Sequence, residues 1–171
     1  IIEHYDADRA YIFEFDWEKN LTHNTYEICK DGITPQIGNL QNVPIDVVAV
    51  WVDVFQHQQK KINMIEDVDA LKDDPARRIE YDCLHPQGIS SLITVPIFVG
   101  GKLHGFLGVD NPASHMDAPT LLMQVTYIAA NELQKRLLTE ELTEKSYHDP
   151  LTGLQNRLAY EEKLLALQNG S

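Results

Sequence analysis

The sequence predicts an α+β fold: one central antiparallel sheet with helices on its faces and a long helix towards the C-terminal end. Three observations carry this. Two apolar runs, Leu92–Val99 and residues 103–109, flank Gly100-Gly101, a two-residue turn that accepts the positive φ angles of a type I′ hairpin. Other strand-like and helix-like segments are scattered among one another along the chain. A helical stripe then opens at Asp117-Ala118-Pro119 and runs past Leu133.

Element by element, Ile1-Ile2-Glu3-His4-Tyr5 reads as the tail of a helix. Residues 9–15 (RAYIFEF) are aromatic and β-branched and read as a strand with Tyr11, Phe13 and Phe15 on one face. After a polar turn at 16–20, residues 22–29 return as the second strand of a hairpin. Residues 30–44 hold Gly32, Pro35, Gly38 and Pro44 and form a surface loop. The valines of 47–55 have strand propensity. Pro44 near the entry, Asp46 as a candidate N-cap and the run's continuation past Phe55 predict a helix instead. Residues 62–65 form a short strand, 67–74 a polar connection, and 76–84 a short helix begun by Pro75.

On the second strand of the Gly-Gly hairpin, Gly105 and Gly108 lack side chains, so close packing or a bend is expected there. The long helix has Asp117 as its candidate N-cap and Pro119 in its first turn. Leu121, Leu122, Val125, Ile128 and Ala129 make one apolar stripe suited to covering a sheet. Beyond Leu133 the stripe drifts to Leu137, Leu138 and Leu142. Residues 134–145 read as a projecting helix that pairs with a second copy.

Composition narrows the function classes. The 171 residues suit about one domain, with the 43% hydrophobic and 23% charged content of an ordinary globular chain. A net charge of −12 repels phosphate backbones and anionic lipid, which argues against nucleic-acid and membrane partners. No apolar run approaches the roughly 20 residues that cross a bilayer. The two cysteines, Cys29 and Cys83, lack C-x-x-C spacing and favour a reducing compartment, so a cytoplasmic location is expected.

Catalytic motifs are absent: no phosphate loop, no H-E-x-x-H, no zinc-like cysteine pair and no G-x-S-x-G. Cys83-Leu84-His85 reads either as a thiolate–imidazole pair or metal-ligand pair, or as a helix-end thiol beside a loop histidine. Ser91, after Ser90 at a strand entry, reads as a ligand anchor or as a partner for neighbouring backbone groups. Trp51 among its valines is a core residue or one wall of a cavity with Tyr26 and Tyr81, between helices and sheet. The candidate ligand-binding set is therefore Tyr26, Trp51, Tyr81, Cys83, His85 and Ser91, with no catalytic residue and no metal ligand. No enzymatic activity is expected of these 171 residues.

The stretch SLITVPIFVGGKLHGFLGVDNP resembles the closing strand–turn–strand of a GAF domain, the small-molecule-sensing module of signalling proteins. DADRAYIFEFD, YEICKDGITPQIGNLQNVP with Trp51, and QGISSL fit the same pattern in the same order. The resemblance covers residues 1–137. It implies a central antiparallel sheet, a ligand cavity between sheet and overlying helices and loops, and dimers through terminal helices. Family ligands include cyclic nucleotides, tetrapyrroles and haem, but the specific signatures depart here. The chromophore-bearing cysteine of phytochromes is followed at once by His, whereas Cys83 is followed by Leu84, and Gly88 arrives early. No cyclic-nucleotide N-K…F…D-E pattern is present, and methionine sulfoxide reductases of this type use more cysteines than two.

A second resemblance lies near the end. DPLTGLQNR is similar to the D-x-L-T-G-L-x-N-R signature opening GGDEF domains, the diguanylate cyclases, at Asp149, Leu151, Thr152, Gly153, Leu154, Asn156 and Arg157. In that family it is the entry hinge of a catalytic domain. The expected organisation is a sensor domain at 1–137, a linker helix at 138–148, and the first residues of a GGDEF domain at 149–171. Together these imply a regulatory domain of a cyclic di-GMP signalling protein, homodimeric through its terminal helices and responsive to an unknown small molecule. The alternative is a ligand-free dimerisation module. No cofactor is required by these residues; Mg²⁺ and GTP are expected only for the output domain.

Overall fold

The computed structural model describes residues 1–57 and 62–147, the side chains of 144–147 excepted. The predicted hinge residues Asp149, Leu151, Thr152, Gly153, Leu154, Asn156 and Arg157 lie outside the described residues. The described residues divide into two units, residues 1–130 and those from 131 onward.

The first unit is built on a six-stranded antiparallel sheet. In chain order its elements are α1 (Ile2–Tyr5), β1 (Arg9–Asp16), β2 (Leu21–Cys29), β3 (Val43–Pro44), α2 (Ala49–His57), β4 (Asn63–Ile65), α3 (Arg78–Leu84), β5 (Leu92–Val99), β6 (Lys102–Asp110) and the start of α4 (Thr120–Tyr147). The strands lie in the order β3-β2-β1-β6-β5-β4. The α+β architecture, the central sheet and the long C-terminal helix are those the sequence predicts. The Gly100-Gly101 hairpin forms with φ of 57° and 79°, the left-handed values a type I′ turn requires.

Strand alternation divides the core. Tyr11, Phe13 and Phe15 from β1 join Leu92, Leu103 and Phe106 on one face, covered by Ile45 and Val48 just before α2, Trp51 and Phe55 of α2, and Tyr81 and Leu84 of α3. Phe106 is the hub. It stacks on Phe13 at 5.0 Å between ring centroids and meets Trp51 edge-on at 5.3 Å. The opposite face buries Ala10, Ile93, Val95, Ile97, Leu107 and Val109.

Four expectations are corrected. Asp46 caps nothing: a short 3₁₀ turn, Ile45–Val48, precedes α2, with Pro44 at the N-cap and no side-chain cap bond. Asp46 instead lies in the first turn, where its charge favours the helix dipole. Helix α3 begins at Arg78, later than predicted, because Asp74 folds the preceding residues into a turn, accepting from Ala76 N at 2.9 Å and Arg77 N at 3.0 Å. Within 67–74, read as a polar connection, Val68 and Leu71 are buried around a 3₁₀ turn. On α4 the buried phase is Leu122 and Thr126, while Ile128 is 62% exposed. A threonine at the centre of the buried stripe hides it from a hydrophobic-only reading. Its hydroxyl is satisfied by Met123 O at 2.8 Å.

In the second unit, α4 continues from Asn131 with Leu138 and Leu142 exposed. These leucines are the apolar positions the sequence assigns to pairing with another copy.

Candidate functional site

The face that carries Phe106 also carries a cavity. It is lined by side chains of β1, β2, β6, α2, α3 and the loop before β3, and holds about 40 Å³ of space that a water-sized body can occupy. Its walls are apolar: Tyr11, Phe13, Trp51 and Phe106 on one side, Leu40, Val43, Val47 and Val48 on another. Six polar side chains also line it, namely Arg9, Thr22, Glu27, Glu80, Gln87 and Asp110.

Arg9 and Asp110 sit at the facing ends of β1 and β6, paired in register, and are 3% and 2% exposed. Arg9 Nε donates to Asp110 Oδ2 at 3.1 Å and Arg9 Nη2 to the Gln87 carbonyl at 3.1 Å. Tyr11 OH donates to Asp110 Oδ1 at 2.8 Å. Desolvation pushes the Asp110 carboxyl up to about 7, although the guanidinium and the two hydrogen bonds pull it the other way. The Tyr11 phenol is pushed far up by burial, with the Asp110 charge adding to it.

Gly108 makes this geometry possible. A Cβ there would lie 2.5 Å from Tyr11 Cε2 and 2.8 Å from Thr94 Cγ2, so the bare backbone lets the Tyr11 ring cross β6 to reach Asp110.

A second charged group is assembled by α3. Glu80, 2% exposed, accepts from Arg77 Nε at 2.8 Å and Nη2 at 2.7 Å, and from Trp51 Nε1. Trp51 thus ties α2 to α3 as well as packing on Phe106. At the end of β6, Asn111 knots three chain segments. Its Nδ2 donates to Asp8 Oδ2 at 2.7 Å and to Gly88 O at 3.0 Å. Its Oδ1 accepts from Ser90 N at 2.8 Å and Ser90 Oγ at 2.9 Å.

The predicted site residues fall in several places. Trp51 and Cys83 line the cavity. Tyr81 is buried in the same core without lining it, and carries His85 stacked on its ring at 4.9 Å. His85 is exposed and lies 3.6 Å from Asp69. Ser91 is half-buried; its backbone N–H donates to Asn111 Oδ1 at 3.3 Å and its carbonyl accepts from Asn111 N at 2.8 Å.

Tyr26 is the correction. It is 57% exposed and faces a separate groove with Ile28, Ala10, Ile12, Leu107 and Val125 on the other side of the sheet. The cause is a bulge: Ile12 pairs with Tyr26 but Phe13 pairs with Asn24, leaving Thr25 unmatched. Beyond that extra residue, the inward position passes from Tyr26 to Glu27, the partner of Tyr11. Arg9, Glu27, Glu80 and Asp110 escape a sequence reading because nothing local marks them; only the hydrophobic strand ends carrying Arg9 and Asp110 hint at buried charges.

Among the described residues no three His, Cys, Asp or Glu side chains converge as a metal site. The Cys83 thiol is pushed up, first by burial and then by the nearby Glu80 and Asp110 charges, and this opposes thiolate chemistry. With Cys29 replaced by serine, Cys83 is the only thiol, and its alkylation at neutral pH is expected to be several-fold slower than that of free cysteine. Alkylation at or above the free-cysteine rate would show an activated thiol instead.

A central antiparallel sheet with a helix-covered, mixed apolar and charged cavity fits a small-molecule-sensing domain. The chain belongs to the GAF domain family, whose pattern matches residues 1–133. It is 36% identical over 112 residues to the methanogenesis regulatory histidine kinase FilI of Methanothrix harundinacea, a match that covers 62% of this chain and 12% of the kinase. Solved structures share the fold. The PixJ GAF domain of Thermosynechococcus elongatus in its blue-light-absorbing form aligns with a TM-score of 0.59 at 17% identity, over 86% of this chain and 88% of that one. The chromophore-binding domain of Stigmatella aurantiaca phytochrome P1 aligns with a TM-score of 0.57 at 16% identity, over 76% of this chain and 49% of that one. No helix among the described residues is long and apolar enough to cross a membrane.

Proposed function

We propose that this GAF domain is the ligand-responsive input of a longer signalling protein, and that its cavity takes a small molecule whose presence biases the state of α4. The observation that carries this reading is the inward-facing polar set, Arg9, Glu27, Glu80, Gln87 and Asp110, within aromatic walls. A cavity meant only to be filled has no need of buried charges, each of which costs desolvation free energy. The ligand acts by binding one arrangement of the domain more tightly than the other, since equal affinity shifts nothing.

The output is proposed to be a GGDEF domain entered through the motif from Asp149 to Arg157, with cyclic di-GMP signalling as its context. A homodimer through α4 suits that output, because exposed Leu138 and Leu142 provide apolar positions for a second copy. One observation favours the second reading, a ligand-free dimerisation module: the free space between Trp51, Phe106 and the other walls is only about 40 Å³.

Native mass spectrometry of the protein purified from cells discriminates the two. A dimer mass with a co-purifying small molecule is the expected result. A dimer without adduct after purification from several growth conditions supports the structural module, and a monomer overturns the helix-paired arrangement.

A further inference from the structure

We propose that the cavity selects a small organic cation, with its charged N–H end on Glu27 and its apolar body against Tyr11, Phe13, Trp51 and Phe106. This rests on the reading of the cavity as the sensor's ligand site and specifies the chemistry of the occupant.

The charge balance of the lining carries the inference. Above about pH 7, where Asp110 is ionised, Arg9 is matched by Asp110 and further engaged by the Gln87 carbonyl. Glu80 is matched by Arg77, which grips both of its oxygens. Glu27 is left over. Its Oε2 accepts from the backbone N–H groups of Gln36 at 2.8 Å and Ile37 at 3.0 Å. Its Oε1 lies a long 3.5 Å from the Asn24 amide nitrogen. That amide is better satisfied when turned, its nitrogen then donating to the carbonyls of Tyr26 at 2.8 Å and Ile12 at 3.2 Å. Among the described residues Glu27 has no cationic partner.

An anion entering here meets Glu27 and finds the one lining guanidinium already occupied. A cation meets a carboxylate without a counter-charge in a pocket lined by aromatic rings, which can attract positive charge. The bulge at Thr25 gives this its specificity: if the same strand paired without a bulge, the inward position next to Tyr11 would hold Tyr26, not the Glu27 carboxylate. The free space of about 40 Å³ is well below the roughly 150 Å³ that houses a benzene ring. A ring-sized cation therefore enters by displacing part of the wall, and Leu40 is the lining residue on the irregular segment that Glu27 clasps through Gln36 and Ile37.

Three probes of similar size test this by calorimetric titration: benzylamine, benzyl alcohol and phenylacetate. Benzylamine is expected to bind about five- to tenfold more tightly than the alcohol, with phenylacetate weakest. Glu27→Gln keeps an acceptor for Gln36 and Ile37 and should bring the amine-to-alcohol ratio close to one. Because the ratio is taken within each variant, a general loss of stability cancels. Tightest binding by the alcohol or the carboxylate overturns the cation assignment while keeping the cavity a ligand site, as does a ratio that survives Glu27→Gln. Failure of all three to bind also overturns it, and the sensor reading then stands or falls separately on the co-purified adduct.

Discussion

Replacing Arg9 with methionine is expected to cost about 3–5 kcal/mol of stability at about pH 8, the usual effect of stripping one partner from a buried ion pair. The loss should be distinctly smaller at about pH 5. The direction follows from the Asp110 carboxyl, raised to about 7 in the folded chain against about 4 in an unfolded one. Between those values the folded state holds a proton that the unfolded state has released. This contribution to stability therefore falls as pH rises through the window and levels off above about 7. Arg9 attraction is the largest of the influences pulling Asp110 down, so its removal moves the folded value further up. The variant's stability should then keep falling above pH 7, where the wild type has levelled. Below the window Asp110 is neutral in both proteins, and the cost shrinks to lost hydrogen bonds and packing. Urea unfolding at several pH values measures this, and Arg9→Met combined with Asp110→Asn should abolish the extra slope. Parallel wild-type and variant curves between about pH 7 and 9 would mean that the pair is not coupled as described.

That ion pair also marks where sequence reading runs out. The Gly-Gly hairpin, the aromatic face of β1 and the helical character of residues 49–57 are local properties, set by turn chemistry, period-2 alternation and flanking residues, and all were legible. Arg9 and Asp110 are 101 residues apart and become partners only when β1 is inserted beside β6, which no local pattern announces. Glu27 is hidden for a different reason. Alternation counted from Thr22 and Asn24 carries Tyr26 inward, and one unpaired residue reverses that assignment for the rest of the strand. Trp51 and Cys83 were legible as cavity candidates because helices that cover a sheet must present some side chains to it. Their polar companions were not.

The glycines of β6 support a last prediction: Gly105→Ala and Gly108→Ala are both expected to destabilise the domain, but only the second should do so through the cavity. A Cβ at Gly105 would fall on the Phe13 carbonyl oxygen and within 3.1 Å of Glu14 Cα. Both are backbone atoms of the neighbouring strand, so relief requires β1 and β6 to separate where their ladder bonds hold them. A cost of about 3 kcal/mol or more follows, at the severe end of overpacking. At Gly108 the obstruction is the Tyr11 ring, at 2.5 and 2.7 Å, together with Thr94 Cγ2. The ring can escape only by giving up its bond to Asp110, which leaves that carboxylate with Arg9 alone. Gly108→Ala should thus cost about 1–3 kcal/mol and be largely non-additive with Tyr11→Phe, which removes the same hydrogen bond. Gly105→Ala should add to Tyr11→Phe almost independently. Chemical denaturation of the two single and two double variants distinguishes these outcomes. Additivity at Gly108 would mean that the glycine serves the strand pairing and not the placement of Tyr11 over the cavity.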